Sequence, residues 1–124
     1  MQKLVFEQAW DKAIAEKDRL EIQEIFSDLN HDQKECRTAV ILKTAFNHKQ
    51  EFLVTVLVNN YSNEPFTLWN QKVEYAESGK ILAKLDSAYT LEIPGQTSMP
   101  WTFIFSEDFL GEKPTGDSGE LRFK

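Results

Sequence analysis

The sequence predicts a mainly β protein, an immunoglobulin-like antiparallel β-sandwich with one N-terminal amphipathic helix packed on a sheet. Three observations predict it. Beyond Cys36 β-branched and aromatic residues dominate through to Phe123, punctuated by Asn/Pro, Ser-Gly and Pro-Gly turn signals. Before Cys36, residues Ile22, Ile25, Phe26 and Leu29 recur at i, i+3, i+4 and i+7, which puts them on one helical face. Finally, residues 52–58 are apolar on both faces, with Phe52, Val54, Val56 and Val58 on one and Leu53 and Leu57 on the other. Only one face of that strand can line a sandwich core, so the other needs a cover.

The elements follow in chain order. Residues 3–6 form a short apolar run suited to an edge strand, followed by Trp10 in a polar setting. Residues 16–29 read as the helix. Glu16 and Asp18 suit the positive end of its dipole, Ala15 stands where a capping Ser or Asp is expected, and Asn30 provides a stop. The helix is the one other large apolar surface and is therefore placed across the outer face bearing Leu53 and Leu57, with a homodimer through that face as the alternative cover. Strands are predicted near 38–47, 51–59, 66–76, 80–85, 88–93, 98–106 and 119–123. Short strands at that spacing build a sandwich or barrel. Segment 111–119 is the loosest, and no repeat or long linker divides the 124 residues, so one domain over 1–124 is expected, its sandwich spanning 38–124.

Charge and motifs narrow the chemistry. The net charge is −6, and residues 1–35 hold nine acids against five bases, so the acidity sits at the front. No basic patch or stripe appears, which argues against nucleic acid and against anionic membrane surfaces. The single cysteine, Cys36, cannot form an intramolecular disulfide, which suits a reducing compartment. MQKLVFEQAWDK lacks the apolar core of a secretory signal and no run is long enough to span a bilayer, so a cytoplasmic protein without membrane insertion is expected.

Each chemical motif has a plainer explanation. Asp28, Asn30 and Asp32 imitate the first ligands of a calcium loop, but Gln33 replaces the sixth-position Gly and Ala39 the twelfth-position Glu. His31, His48 and Cys36 supply too few spaced ligands for zinc. The turn around Asp117, Ser118, Gly119 and Glu120 offers a cation little, and Glu21 and Glu24 read as a solvated helix face. No Ser or Cys sits in a nucleophile elbow, and no glycine-rich phosphate loop is present. No catalytic residue, metal ligand or cofactor site is expected; a small hydrolase would need His31 or His48 to meet a nucleophile in a pocket.

The polar stretch NNYSNEP at 59–65 lies between two apolar runs and reads as a strand reversal, with Asn60, Tyr61 and Ser62 forming an incidental glycosylation sequon. Among the aromatics, Trp101, Phe103 and Phe105 alternate and face the core together, with Pro100 marking a pairing end or an edge. Period two sets Trp69 opposite Phe66 and Leu68, but a bulge at Asn70 and Gln71 can turn it inward, and core or semi-buried packing is the expectation over a ligand platform, given how often large aromatics are buried.

Three stretches together carry a family resemblance. LVFEQAWDKAIAEKDRLEIQEIF at the front, FNHKQEFLVTVLVNNYSNEPFTL in the middle and IPGQTSMPWTFIF near the end resemble the SLAP domain, associated with S-layer assembly in Gram-positive bacteria. FEQAWDK with its following helix and SMPWTFIF are the most specific parts, and the likeness runs from about residue 3 to 124. The resemblance implies a non-catalytic protein-interaction module beside the accessory Sec export route, with an S-layer-type client or the accessory Sec ATPase as protein partner. It carries over no catalytic or metal residues. Tyr61 and Trp69, aromatic residues in and near the 59–65 loop, are the candidate partner-binding residues. A cell-surface module binding wall polysaccharide or peptide through exposed aromatics is the reading from another class.

Overall fold

The computed structural model describes every residue except 1, 30, 32–34, 108–111 and 117. Its elements run β1 (Lys3–Leu4), α1 (Gln8–Ala13), α2 (Glu16–Asp28), β2 (Arg37–Phe46), β3 (Phe52–Asn60), β4 (Phe66–Thr67), β5 (Lys72–Glu77), β6 (Lys80–Asp86), β7 (Glu92–Ile93), β8 (Thr97–Phe105) and β9 (Gly119–Phe123). The strands form a four-stranded sheet in the order β1-β8-β3-β2, a three-stranded sheet β6-β5-β9 and a short pair β4-β7. The protein is mainly β, as its sequence predicts.

The core lies between the sheets. Val54, Val56 and Val58 of β3 and Phe103 and Phe105 of β8 face Val73 and Tyr75 of β5 and Leu121 of β9. Aromatic edges lock the layers: Phe52 meets Tyr75 at 4.8 Å and Phe103 meets Phe123 at 6.1 Å between ring centroids. Such tilted and edge-on pairs add to the area they bury.

The outer face of the large sheet is built in rows across β2, β3 and β8. Val40, Leu57 and Pro100 form one row, Lys43, Thr55 and Thr102 the next, and Ala45, Leu53 and Ile104 the last. Helix α2 lies over this face, which is the cover that the doubly apolar strand requires. Its buried residue is Ile22, whereas Ile25, Phe26 and Leu29 are half-buried. The helix thus rests on the sheet without sinking into it.

Several boundaries differ from the expected ones, each for a local reason. A second helix, α1, precedes the predicted one; Glu7 caps it, its carboxylate accepting from Ala9 N at 3.0 Å, and Glu is not a usual capping residue. The predicted edge strand shortens to β1 and pairs parallel to β8, an exception to the antiparallel rule. Predicted strand 66–76 divides into β4 and β5 because Asn70 takes a left-handed conformation at φ 59°. Strand 88–93 shrinks to β7. Helix α2 ends at Asp28, with Leu29 already extended, and the expected stop at Asn30 lies outside the described residues.

Pro100 pairs with Leu57 inside β8. Because the Ser98 carbonyl accepts from Val5 N, residue 100, two positions on, points its nitrogen toward β1's side of the strand. β1 has ended by then, so the missing donor costs nothing. Trp101 was expected between the sheets; it is half-buried at the core's margin, edge-on to Tyr89 at 5.3 Å. Tyr89 lies against β8 there, and the backbone of Ile104 hydrogen-bonds the Tyr89 hydroxyl.

Candidate functional site

The end of β3 is a buried polar knot. Asn59 and Asn60 are 1% and 0% exposed, although both are amides with four hydrogen-bonding positions to satisfy. Asn60 Nδ2 donates to the carbonyls of Glu64 at 2.7 Å and Ile93 at 3.0 Å, with that of Pro94 also in reach. Its Oδ1 accepts from Ser62 N and from Ser62 Oγ at 2.7 Å. Gln96 N then donates to the Ser62 carbonyl at 2.9 Å, which ties residues 60–64 to residues 93–96. At Gly95 a Cβ would come within 2.6 Å of the Asn63 carbonyl, so a side chain there would push the two loops apart.

Asn59 does the same for the sheet. Its Oδ1 accepts from Ser98 Oγ at 2.6 Å, its Nδ2 donates to Thr38 Oγ1, and Gln2 Nε2 donates to Ser98 Oγ, which links the residue before β1 to β8, β3 and β2 in one line. The stretch NNYSN is therefore a reversal held by side chains. The sequon at Asn60 has its amide nitrogen committed to backbone carbonyls, which accords with an incidental match.

Tyr61 and Trp69, the two candidate contact residues, differ in setting. Tyr61 is half-buried: its N donates to the Cys36 carbonyl at 2.7 Å, and its hydroxyl lies 3.2 Å from His31 Nδ1. His31 Nε2 sits 2.8 Å from the Phe26 carbonyl, which can only accept, so Nε2–H donates and Nδ1 of the neutral ring accepts from the Tyr61 hydroxyl. The imidazole also packs against the Phe26 ring, tilted by 41°, with centroids 4.6 Å apart. This relay ties the C-terminal carbonyls of α2 to the end of β3. Burial pushes the Tyr61 phenol above its ordinary value.

Trp69, expected to be packed in the core or half-buried, instead presents its ring to solvent and is 51% exposed, because it keeps the face opposite buried Phe66 and Leu68; its backbone N donates to Thr67 Oγ1. Among the described residues no hydrogen bond or ring contact joins Tyr61 to Trp69. His48 is exposed in the β2–β3 turn, and Cys36 is exposed before β2. Among the described residues no three His, Cys, Asp or Glu gather as metal ligands. The calcium-like run falls partly outside the description, at Asn30, Asp32 and Gln33, as does Asp117 of the second cation candidate.

Two features escaped the sequence reading. Glu77 anchors the segment before β9: Thr115 N and Oγ1 donate to its Oε1 at 3.1 and 2.9 Å, and Gly116 N and the Tyr75 hydroxyl donate to its Oε2. Burial pushes that carboxyl up, but these four donors outweigh it and hold the group below its ordinary value. The second feature is a groove of about 150 Å³ between the helices and the outer face of the large sheet. Only its residue types, not its shape, were visible in the sequence.

The SLAP-domain family model matches residues 4–122, and the chain belongs to that family. No curated protein and no solved structure matches the chain.

Proposed function

We propose that this SLAP-domain chain is a non-catalytic interaction module that assists export and assembly of S-layer proteins through the accessory Sec pathway. Family membership over residues 4–122 is the observation that carries the proposal. The partner is an S-layer-type client or the pathway's ATPase, met on the cytoplasmic side. No helix among the described residues is long and apolar enough to cross a membrane, which is compatible with that placement. The module acts by binding, with neither turnover nor cofactor. One feature supports this reading: Asn60 and Ser62 of the polar knot commit their side chains to structure, while Trp69 offers an exposed aromatic of the kind that anchors partners. Tyr61 contributes its ring edge from the neighbouring loop.

Affinity capture from native cells tests the proposal, comparing wild type with a Tyr61→Ala, Trp69→Ala double variant of confirmed stability. The expected result is recovery of an export component by wild type and its loss in the variant. Recovery of none by either protein would sink the pathway assignment. Equal recovery by both would remove only the proposed aromatic contact.

A further inference from the structure

The groove between the helices and the large sheet arises from a bulge. In the β2–β3 ladder Ile41 pairs with Val56 and Lys43 with Thr55, so Leu42 is the extra residue. A bulge re-aims its side chain, and here Leu42 leaves the ladder and lines the groove together with Thr55. Trp10, Ile14, Ile22 and Ile25 supply the opposite wall. Ile22 alone among the α2 residues is buried, so the helix stands away from the bulged strand and leaves an apolar slot beneath it.

The rim is charged and asymmetric. Asp18 and Glu21 line it from the helix and Lys43 from the strand. Two bases flank Asp18 in sequence: Lys17 is exposed and forms no ion pair among the described residues, and Arg19 is turned elsewhere, pairing with Asp11 at 2.7 Å and Glu16 and lying over the Phe6 ring. Among the described residues no cation pairs with Asp18 or Glu21, and no acid pairs with Lys43. An apolar slot with unpaired acids on its helix side matches a ligand that brings an apolar side chain and a base together.

We infer that this groove binds a short polypeptide segment that inserts one aliphatic or aromatic side chain between α2 and β2 and sets a Lys or Arg against Asp18 and Glu21. This inference rests on the proposed binding role and names the kind of segment recognised. A slot of about 150 Å³ holds one side chain of that type, not a folded surface. The acids on the helix side orient the segment and select it from neutral apolar sequences, since charge complementarity contributes specificity more than raw affinity.

The test uses the whole chain and a synthetic peptide of about ten residues with one Leu flanked by two Lys. Binding is followed by the Trp10 indole N–H resonance, because Trp10 lines the groove. The expected result is saturable perturbation of Trp10, lost when Leu becomes Ser and weakened about tenfold in an Asp18→Lys, Glu21→Lys double variant. Glu21→Lys alone leaves the acids of the first helical turn in place and should weaken binding in the same direction. A peptide with Glu in place of both Lys should reverse the preference and bind the double variant better than wild type. Equal binding of the Ser and Leu peptides, or no perturbation at Trp10, overturns the inference. So does a concentration-dependent dimer that the double variant abolishes, which would assign the groove to a second copy. Capture of an export component by a protein that fails every peptide test would overturn the groove while leaving the proposed function standing.

Discussion

The two outer faces of the sandwich are built on the same period of two and meet opposite fates. On the large sheet the outward rows are Val40, Leu57 and Pro100, then Lys43, Thr55 and Thr102, and helices cover them. On the small sheet the outward rows are Asp86 with Lys72, then Lys84, Glu74 and Arg122, and among the described residues no helix lies over them. Charges of opposite sign alternate across β6, β5 and β9, the arrangement that suits a solvated antiparallel face. One face needs a cover because its side chains are apolar; the other carries its own polarity. The N-terminal segment is thus a structural requirement of β3, and a surface that must hold a helix also creates the margin where a groove can open.

The largest expected effect breaks the covered face. Leu57 is completely buried, yet it points away from the main core toward the helices. Leu57→Ala should cost about 2–5 kcal/mol, the range for truncating a buried Leu. Chemical denaturation measures it. A loss below about 0.5 kcal/mol, the size of an ordinary surface substitution, would mean that α2 does not cover this row.

Next comes the knot at the margin of that face. Asn60→Ala removes an amide that serves backbone carbonyls on two loops and leaves those carbonyls buried without their donor. About 2–3 kcal/mol is expected, at the upper end of the cost of unsatisfied buried groups. The check is again an unfolding midpoint, together with hydrogen exchange at Ser62 and Gln96, which should quicken before the β3–β8 ladder does.

These two sites also mark how much the sequence disclosed. Period and residue type exposed β3 as doubly apolar and put the α2 stripe over it, because both depend on side chains a few positions apart; Trp69, expected in the core or half-buried because large aromatics usually are, is instead exposed. Asn60 was legible as part of a reversal but not as its keystone, since its partners at 93 and 94 lie a long way along the chain. Helix α1 was missed because six residues carry almost no periodic signal, and its capping Glu7 is atypical. Strands β4 and β5 were merged because Asn70 reads as a bulge within one strand, whereas its left-handed conformation ends the strand there. The groove depends on a bulge at Leu42, which is a relation between two strands and is absent from either one alone.

A smaller effect tests the edge of the exposed sheet, where Glu77 holds the segment before β9. Its carboxyl lies below the ordinary value of 4.5 in the folded protein. A depressed acid contributes stability that is fully present above its unfolded value and is lost as pH falls through the folded one. Glu77→Gln should therefore cost about 1 kcal/mol at neutral pH, where its charge-assisted bonds are intact. The gap between the wild-type and variant melting temperatures should close on acidification below about pH 4. A gap that stays constant down to strong acid would show that the carboxylate's charge is not what holds Thr115 and Gly116.

The smallest effect sharpens the contrast itself. Lys84 stands on the outer face of β6, opposite Glu74, with its side chain exposed. If that face is solvated, an exposed cation there gains little, because water already screens it and holding a long side chain costs entropy. Lys84→Ala should shift stability by less than about 0.5 kcal/mol, and added salt should leave the difference unchanged. Glu74 is the reason to measure it: its side chain is only 16% exposed, its Oε1 accepts no hydrogen bond from the described residues, and Lys124 Nζ lies 4.0 Å away. A loss above about 1 kcal/mol that shrinks with salt would show that Lys84 helps to hold this half-buried carboxylate. The charged face would then contain a network of its own, and the two faces would differ in chemistry but not in how tightly each is bound.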